Sequence, residues 1–310
     1  MSFRLIIPVV MFVAGASDTS IPVAWPRFAP RTVDDSVTLV TLGTGVPVPD
    51  PRAAGPATAV VVGSRVFLFD AGSGVERQLN AAKLPIDGVE AVFFTHLHSD
   101  HVLGYPDLIF TSWVFGRRTP LRAFGPPGLK AMTDHLIAAF AEDISVRTTG
   151  PERAIPGGYR VNVKEVRSGI VYDSAGVRVR AFMVPHSNWK VALGYRIEAR
   201  GKSIVISGDT RPSEAISRAA EGADILVHEV YAAAKVEPEK MPGGSDWPRY
   251  LASAHTSDVE IGAIAARAKP KMVVLTHIVR LGATDGEMIA AVKSKGYTGK
   301  VAVAHDLDRF

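Results

Sequence analysis

Cysteine is absent from the 310 residues, so disulfides and thiolate metal ligands are excluded, and any metal must be held by imidazole and carboxylate. No apolar run is long enough to cross a bilayer; Leu5 to Gly15, the most apolar N-terminal stretch, is too short. There is no block of Lys and Arg either. Thirty-five basic against 31 acidic residues leave +4 spread along the chain, which permits a nucleic-acid surface without indicating one. With 47% hydrophobic and 21% charged residues, disorder is excluded and a well-buried core is expected.

The N-terminus reads as a processing segment. Arg4 precedes the apolar run, and Ala14-Gly15-Ala16 supplies an A-x-A cleavage site, so residues 1–16 are expected to be a signal peptide. Export to a periplasm or beyond follows; a buried N-terminal strand in a cytoplasmic protein is the alternative. Pro22, Pro26 and Pro30 make residues 17–35 a Pro-rich lead-in, and the domain proper is expected over 36–310.

What is abundant is histidine in one place. Thr95-His96-Leu97-His98-Ser99-Asp100-His101 follows the β-branched and aromatic run Val92-Phe93-Phe94. Period 2 along a strand would aim His96 and His98 the same way, and a following turn would swing Asp100 and His101 to a second point nearby. Burying several polar rings without a metal or full hydrogen bonding costs kcal/mol apiece, so two adjacent metal ions are the simplest reading.

This stretch resembles the H-x-H-x-D-H signature of the metallo-β-lactamase superfamily. The resemblance implies an α/β fold, a four-layer αββα sandwich with a two-metal site on one edge, and it reaches from about Ser36 to the C-terminus. It implies His186, after the alternating strand Val177 to Val184, as third imidazole beside His96 and His98. It makes Asp209 of Ser207-Gly208-Asp209-Thr210 the bridging carboxylate, and it places His277 with Asp100 and His101 at the second metal. Asp70 is implied to hydrogen-bond a ligand histidine from behind; capping the helix after Gly74 is its alternative role. Two Zn2+ ions are expected, with Mn2+ or Fe as alternatives.

His228-Glu229 and Ala254-His255-Thr256-Ser257 resemble elements of the ribonuclease Z and arylsulfatase-like branch. There Glu229 would orient His255 as general acid, a metal-bridging hydroxide would attack, and Asp100 would accept a proton. Ribonuclease Z carries an arm for gripping tRNA between its third and fourth metal motifs, whereas here residues 187–208 span only 22 positions. With no arm, no basic run and an expected export signal, the leading expectation is an arylsulfatase-like hydrolase of small anionic sulfate or phosphodiester esters. Nucleic acid is then not the expected partner. No membrane association after processing is expected, and a homodimer is. A ribonuclease Z-type tRNA 3′-end endonuclease and a lactonase or β-lactamase-type acyl hydrolase are the alternatives. Trp113, Phe115, Trp189, Tyr231 and Trp247 are candidates to wall the substrate pocket.

Overall fold

The computed structural model describes residues 36–152, 154–237 and 246–310. The expected signal peptide and lead-in lie outside the described residues. Strands β1 (Val37–Gly43), β2 (Ala57–Val62), β3 (Arg65–Phe69), β4 (Val89–Phe93), β5 (Leu121–Gly125) and β6 (Val161–Glu165) form one sheet in chain order. Strands β7 (Gly169–Ser174), β8 (Val177–Val184), β9 (Ala192–Ala199), β10 (Lys202–Ile206), β11 (Ile225–Tyr231), β12 (Met272–Val279) and β13 (Lys300–Val303) form the second.

The presence of a helix in the connection goes with strand direction. The helix-free links β1–β2, β2–β3, β7–β8, β8–β9 and β9–β10 give antiparallel pairs. Pairing is parallel wherever helices intervene, because the chain must return to the same end of the sheet. Helix α1 (Val75–Ala81) joins β3 to β4, and α2 (Ser99–Val102) with α3 (Tyr105–Val114) joins β4 to β5. Helices α4 (Leu129–Ala139) and α5 (Ala141–Thr149) lead to β6. In the second sheet α6 (Glu214–Ala219), α7 (Asp246–Ala254) with α8 (Asp258–Ala268), and α9 (Asp285–Lys293) make the crossovers.

Alternation along the strands separates three cores. Phe67, Phe69, Phe93, Tyr195, Ile204 and Ile206 pack between the sheets, while Val66, Leu68 and Val92 turn outward to α1 and α3, and Val205, Val273 and Leu275 turn to α6, α8 and α9. Helices therefore cover both outer faces, which gives the four-layer αββα sandwich. Four of the nine residues in 141–149 are β-branched (Ile144, Val146, Thr148 and Thr149), yet the segment forms α5, which buries no residue fully and is braced by the Asp143–Arg147 pair. Residues 238–245, just before α7, lie outside the described residues.

The chain's last residues close the first sheet. Leu39 and Phe310 exchange two backbone hydrogen bonds of 3.0 Å, and Thr41 donates its N–H to Asp308 O at 3.1 Å. Just before this tail, Asp306 accepts from Thr44 N and Oγ1 at 2.9 Å, Ala54 N at 2.7 Å and Gln78 Nε2. One carboxylate thus ties the two ends of the β1–β2 loop to helix α1. Asp306→Ala should lower the unfolding free energy by about 2–4 kcal/mol in urea titration, since each lost charge-assisted bond leaves a donor unserved; an unchanged midpoint would show that the tie is not needed.

Glu76 of α1 is buried with neither carboxylate oxygen hydrogen-bonded. Burial, with Asp107 adding and Arg117 opposing, pushes its pKa up to about 9. The folded state therefore holds a proton that the unfolded chain releases near pH 4.5, so this group costs stability increasingly as pH rises from about 5 towards 9. Glu76→Gln should remove that dependence, flattening the pH–stability curve by about 1.4 kcal/mol per pH unit in this window; a parallel curve would contradict the buried neutral carboxyl.

Candidate metal centre

The site forms along one rim, where loops leave both sheets. Strand β4 stops at Phe93 and does not run to Thr95, so His96 and His98 are carried on a loop and strand alternation does not aim them. His98 then caps α2, whose single turn carries Asp100 and His101. His186 follows β8, Asp209 follows β10, and His277 lies within β12. In β12 the register skips His277: Thr276 pairs with Glu229 and Ile278 with Val230, leaving His277 as a bulge with φ 44°. That bulge turns the imidazole to the rim while its neighbours keep the pleat.

These side chains meet in two groups. The ligating atoms of His96, His98, His186 and Asp209 lie within 4.8 Å of one another, as do those of Asp100, His101 and His277. In the first group His98 Nδ1 is 2.9 Å from His96 Nε2 and 3.2 Å from His186 Nε2. In the second, His277 Nε2 is 3.2 Å and His101 Nε2 3.6 Å from Asp100 Oδ2. Asp209 Oδ2 stands between the groups, 3.5 Å from Nε2 of both His101 and His277 and 4.0 Å from His186 Nε2. Gly208 permits this approach: its φ is 61°, and a Cβ there would lie 2.6 Å from Leu193 O and 2.8 Å from Thr95 Cβ.

Partners behind the rings fix which nitrogen faces inward. Asp70 Oδ2 accepts from His101 Nδ1 at 2.9 Å and from Thr95 Oγ1 at 2.9 Å, and its other oxygen accepts Thr95 N. Thr95 Oγ1 in turn accepts from His96 Nδ1 at 3.0 Å. Asp70 thus serves His101 directly and His96 through a hydroxyl; α1 is capped by Gly74, so the capping role is not taken. His186 Nδ1 donates to Ala254 O at 2.7 Å. Trp189 lies against His96 and His98, its Nε1 2.8 Å from His98 Nε2.

Glu229 and His255 stand beside this cluster. Glu229 Oε1 accepts from Thr210 N and Thr256 N at 3.1 Å, while Oε2 meets His255 Nδ1 at 3.2 Å. A buried carboxylate thereby pins both the turn after Asp209 and the loop that presents His255. Burial disfavours the charged ring, but Glu229 and then Asp209 outweigh it and raise His255 to about 9. His96 is held well below the usual range by burial and by its neighbouring imidazoles. Burial opposes the charged form of Asp209 too, yet His277 and His101 keep its carboxyl well below the ordinary value.

The donor set fits a metal. His101 Nε2 and Asp209 Oδ1 are buried in the cluster without a hydrogen-bond partner, an arrangement costing kcal/mol apiece unless a cation is present. Imidazole and carboxylate without thiolate suit zinc, manganese or iron. On its outer side the cluster borders a cavity of about 120 Å³ walled by Val46, Val48, Trp247, Tyr250, Leu251 and Val279.

With this geometry in view, a family model described as "Beta-lactamase superfamily domain" matches residues 65–278. Ribonuclease Z of Mycobacterium bovis is 35% identical over 282 residues, spanning 87% of this chain and 96% of that protein. The chain belongs to the metallo-β-lactamase superfamily, in its ribonuclease Z branch. Among solved structures of the superfamily fold, YhfI from Bacillus subtilis superposes with TM-score 0.66 at 18% identity, covering 88% of this chain and 98% of its own. Human tRNase Z, short form, superposes with TM-score 0.64 at 21% identity, covering 88% and 98%. As a member of this superfamily the chain is a metal-dependent hydrolase with candidate metal-binding residues in place.

Two expectations are corrected by these relatives. The arylsulfatase-like assignment is overturned, and with it the exclusion of nucleic acid as partner, because proteins named Ribonuclease Z match nearly end to end. The short 187–208 segment, the lack of a basic run and the expected export signal carry that exclusion, and a chain with this segment and charge pattern still matches those proteins over most of its length. Of the aromatic residues expected at the pocket, Trp247 lines the cavity and Trp189 packs on two histidines, whereas Trp113 is 2% exposed in the helical core and donates to Ile155 O. Tyr250 was missed. Trp247, Tyr250, Leu251 and Ala254 recur at helical spacing, which is the signal that reveals α7 and its inward face.

If the cluster is a metal centre, a chelator should lower the thermal midpoint and added zinc or manganese restore it, metal at about 100 times its Kd contributing roughly 2.7 kcal/mol. Asp209→Ala should abolish the response in a thermal shift assay; a chelator-insensitive midpoint with no bound metal would refute the centre.

Proposed function

We propose that this chain is a ribonuclease Z-type endonuclease that hydrolyses a phosphodiester at the 3′ end of tRNA precursors. The observation that carries the reading is the near full-length match to proteins named Ribonuclease Z, on a chain that sets Glu229 and His255 beside Asp209.

In this reading His96, His98, His186 and Asp209 would hold one ion and Asp100, His101 and His277 the other, with Asp209 standing between the groups; the imidazole-rich donor set would favour zinc. When bound, the ions supply Lewis acidity and lower the pKa of water enough for attack near neutral pH. The chain's own residues do the rest. Asp70, Thr95 and Ala254 O fix the inward nitrogens of His101, His96 and His186, so the rings need no reorientation. Asp100, on the wall of the cavity, accepts the proton of the attacking water. As the new P–O bond forms, the bond to the leaving oxygen breaks. His255, with Nδ1 engaged by Glu229, donates from Nε2 to that oxygen. The apolar wall of Trp247, Tyr250 and Leu251 offers a face for the nucleotide base next to the scissile phosphate.

His255→Ala should reduce kcat on a precursor tRNA by about 10²- to 10⁴-fold while metal content stays at the wild-type value. Loss of metal from the variant would instead make His255 a ligand. A metal-loaded wild-type protein that leaves precursor tRNA intact would overturn the proposed function.

A further inference from the structure

The ring of residues around the metal centre does not explain how a chain without a gripping arm would hold a large polyanion. The charge pattern of the two grooves that flank the centre does. On one side a cavity of about 500 Å³ runs past the loop after β1 and the start of α9, but its cations are neutralised: Arg52 pairs with Asp50 at 2.8 Å and Arg280 with Asp285. On the other side lie two adjoining cavities of about 500 and 530 Å³. They share Pro127 and Arg167, and the first opens on His98.

Three cations line this second groove, Lys164, Arg167 and Lys190, and all three are exposed. Among the described residues none of them has an ion-pair partner, although most acidic side chains on the surface are paired to Lys or Arg, as in Asp134–Lys130, Asp143–Arg147, Asp173–Arg178 and Glu198–Arg196. The one carboxylate in the lining, Glu165, is spent on the start of α4, where Oε1 accepts from Gly128 N at 2.8 Å and Lys130 N at 3.0 Å. The groove therefore carries three cations against one engaged carboxylate. Ser187 and Asn188, both exposed, add polar side chains between Lys190 and the metal cluster. The topology puts these residues together: β6 ends sheet one and β7 ends sheet two, so the groove opens between the two edge strands on the side away from β13.

We propose that this groove, from His98 past Arg167 and Lys190 to Lys164, binds the phosphate backbone of the RNA that continues from the scissile bond. The inference rests on the ribonuclease Z-type reading and adds the path of the substrate. Guanidinium and ammonium groups without protein partners, set along a channel that ends at the hydrolytic centre, match a run of phosphates; a small ester would fill only the cavity at the metals. The sign and continuity of the groove give affinity without base readout, so the same contacts serve many precursor sequences.

The test uses the full-length, metal-loaded protein and a labelled precursor tRNA, comparing wild type with Arg167→Glu/Lys190→Glu and with Arg167→Ala/Lys190→Ala. Lys293→Glu/Lys295→Glu, on and just after α9, makes the same change in net charge elsewhere. The groove variants should raise KM for precursor tRNA about tenfold or more, and the alanine pair should flatten the plot of log Kd against log salt by about 0.7 per residue removed. The ratio of precursor tRNA to bis-p-nitrophenyl phosphate turnover should fall in step. Unchanged KM and salt slope in the groove variants, alongside a wild type that does cleave precursor tRNA, would overturn the groove alone. An equal loss in the Lys293/Lys295 pair would also overturn it, by reducing the effect to net charge. Failure of the wild type itself to bind or cleave precursor tRNA would instead overturn the proposed function, and the groove with it.

Discussion

A single buried carboxylate, Asp209, sets the terms for the rest of this molecule. It is 3% exposed, and one of its oxygens lies 3.5 Å from imidazoles delivered by α2 and by the bulge in β12. Such a charge is tolerable only if opposite charge surrounds it at short range. The two sheets, which share no backbone ladder, must therefore present their rims to each other to within an ångström or so. The aromatic layer between them, with Phe93 stacked on Phe69 and Phe124 and touching Tyr195, is what keeps the rims in that relation. Tyr195 adds a direct tie, its hydroxyl donating to Phe94 O at 2.6 Å just ahead of the histidine loop.

The residues behind the centre are as constrained as those in it. Asp70 takes three hydrogen bonds from one loop and one helix, and does so at φ 58°, a conformation that costs a non-glycine residue on the order of a kcal/mol. Glu229 performs the equivalent task on the other sheet. Both carboxylates hold backbone as well as imidazole, so neither ring can turn without disturbing the loop that carries its partners.

Much of this was legible in the residues themselves. The density of donors from His96 to His101 pointed to the rim where the candidate ligands meet, and the resemblance that begins there extended correctly to the αββα architecture. Apolar β-branched and aromatic runs marked the strand ahead of the histidine loop, and alternation marked Val177 to Val184, because buried strands in such a sandwich are rich in Val, Ile and Phe. These signals failed where local pattern and tertiary role diverge. Residues 141–149 include four β-branched residues yet are helical on a surface, and His277 is aimed by a register irregularity that no alternation rule contains. Substrate class failed for a different reason. The length of one segment does not determine what a surface can hold, because electrostatic attachment to a polyanion depends on where cations lie in space. Lys164, Arg167 and Lys190 come from two separate stretches, and nothing in their spacing along the chain sets them apart from the other basic residues.

The pairing of residues 307–310 with β1 joins stretches about 270 positions apart, from Leu39 to Phe310. Hairpin contacts cannot supply that edge of β1; it is completed only by closing a very long loop. His277 likewise meets Asp100 across 177 positions. The sheet edge and the donor cluster are both products of long-range closure, so a partly folded chain offers neither a finished edge nor a full set of donors.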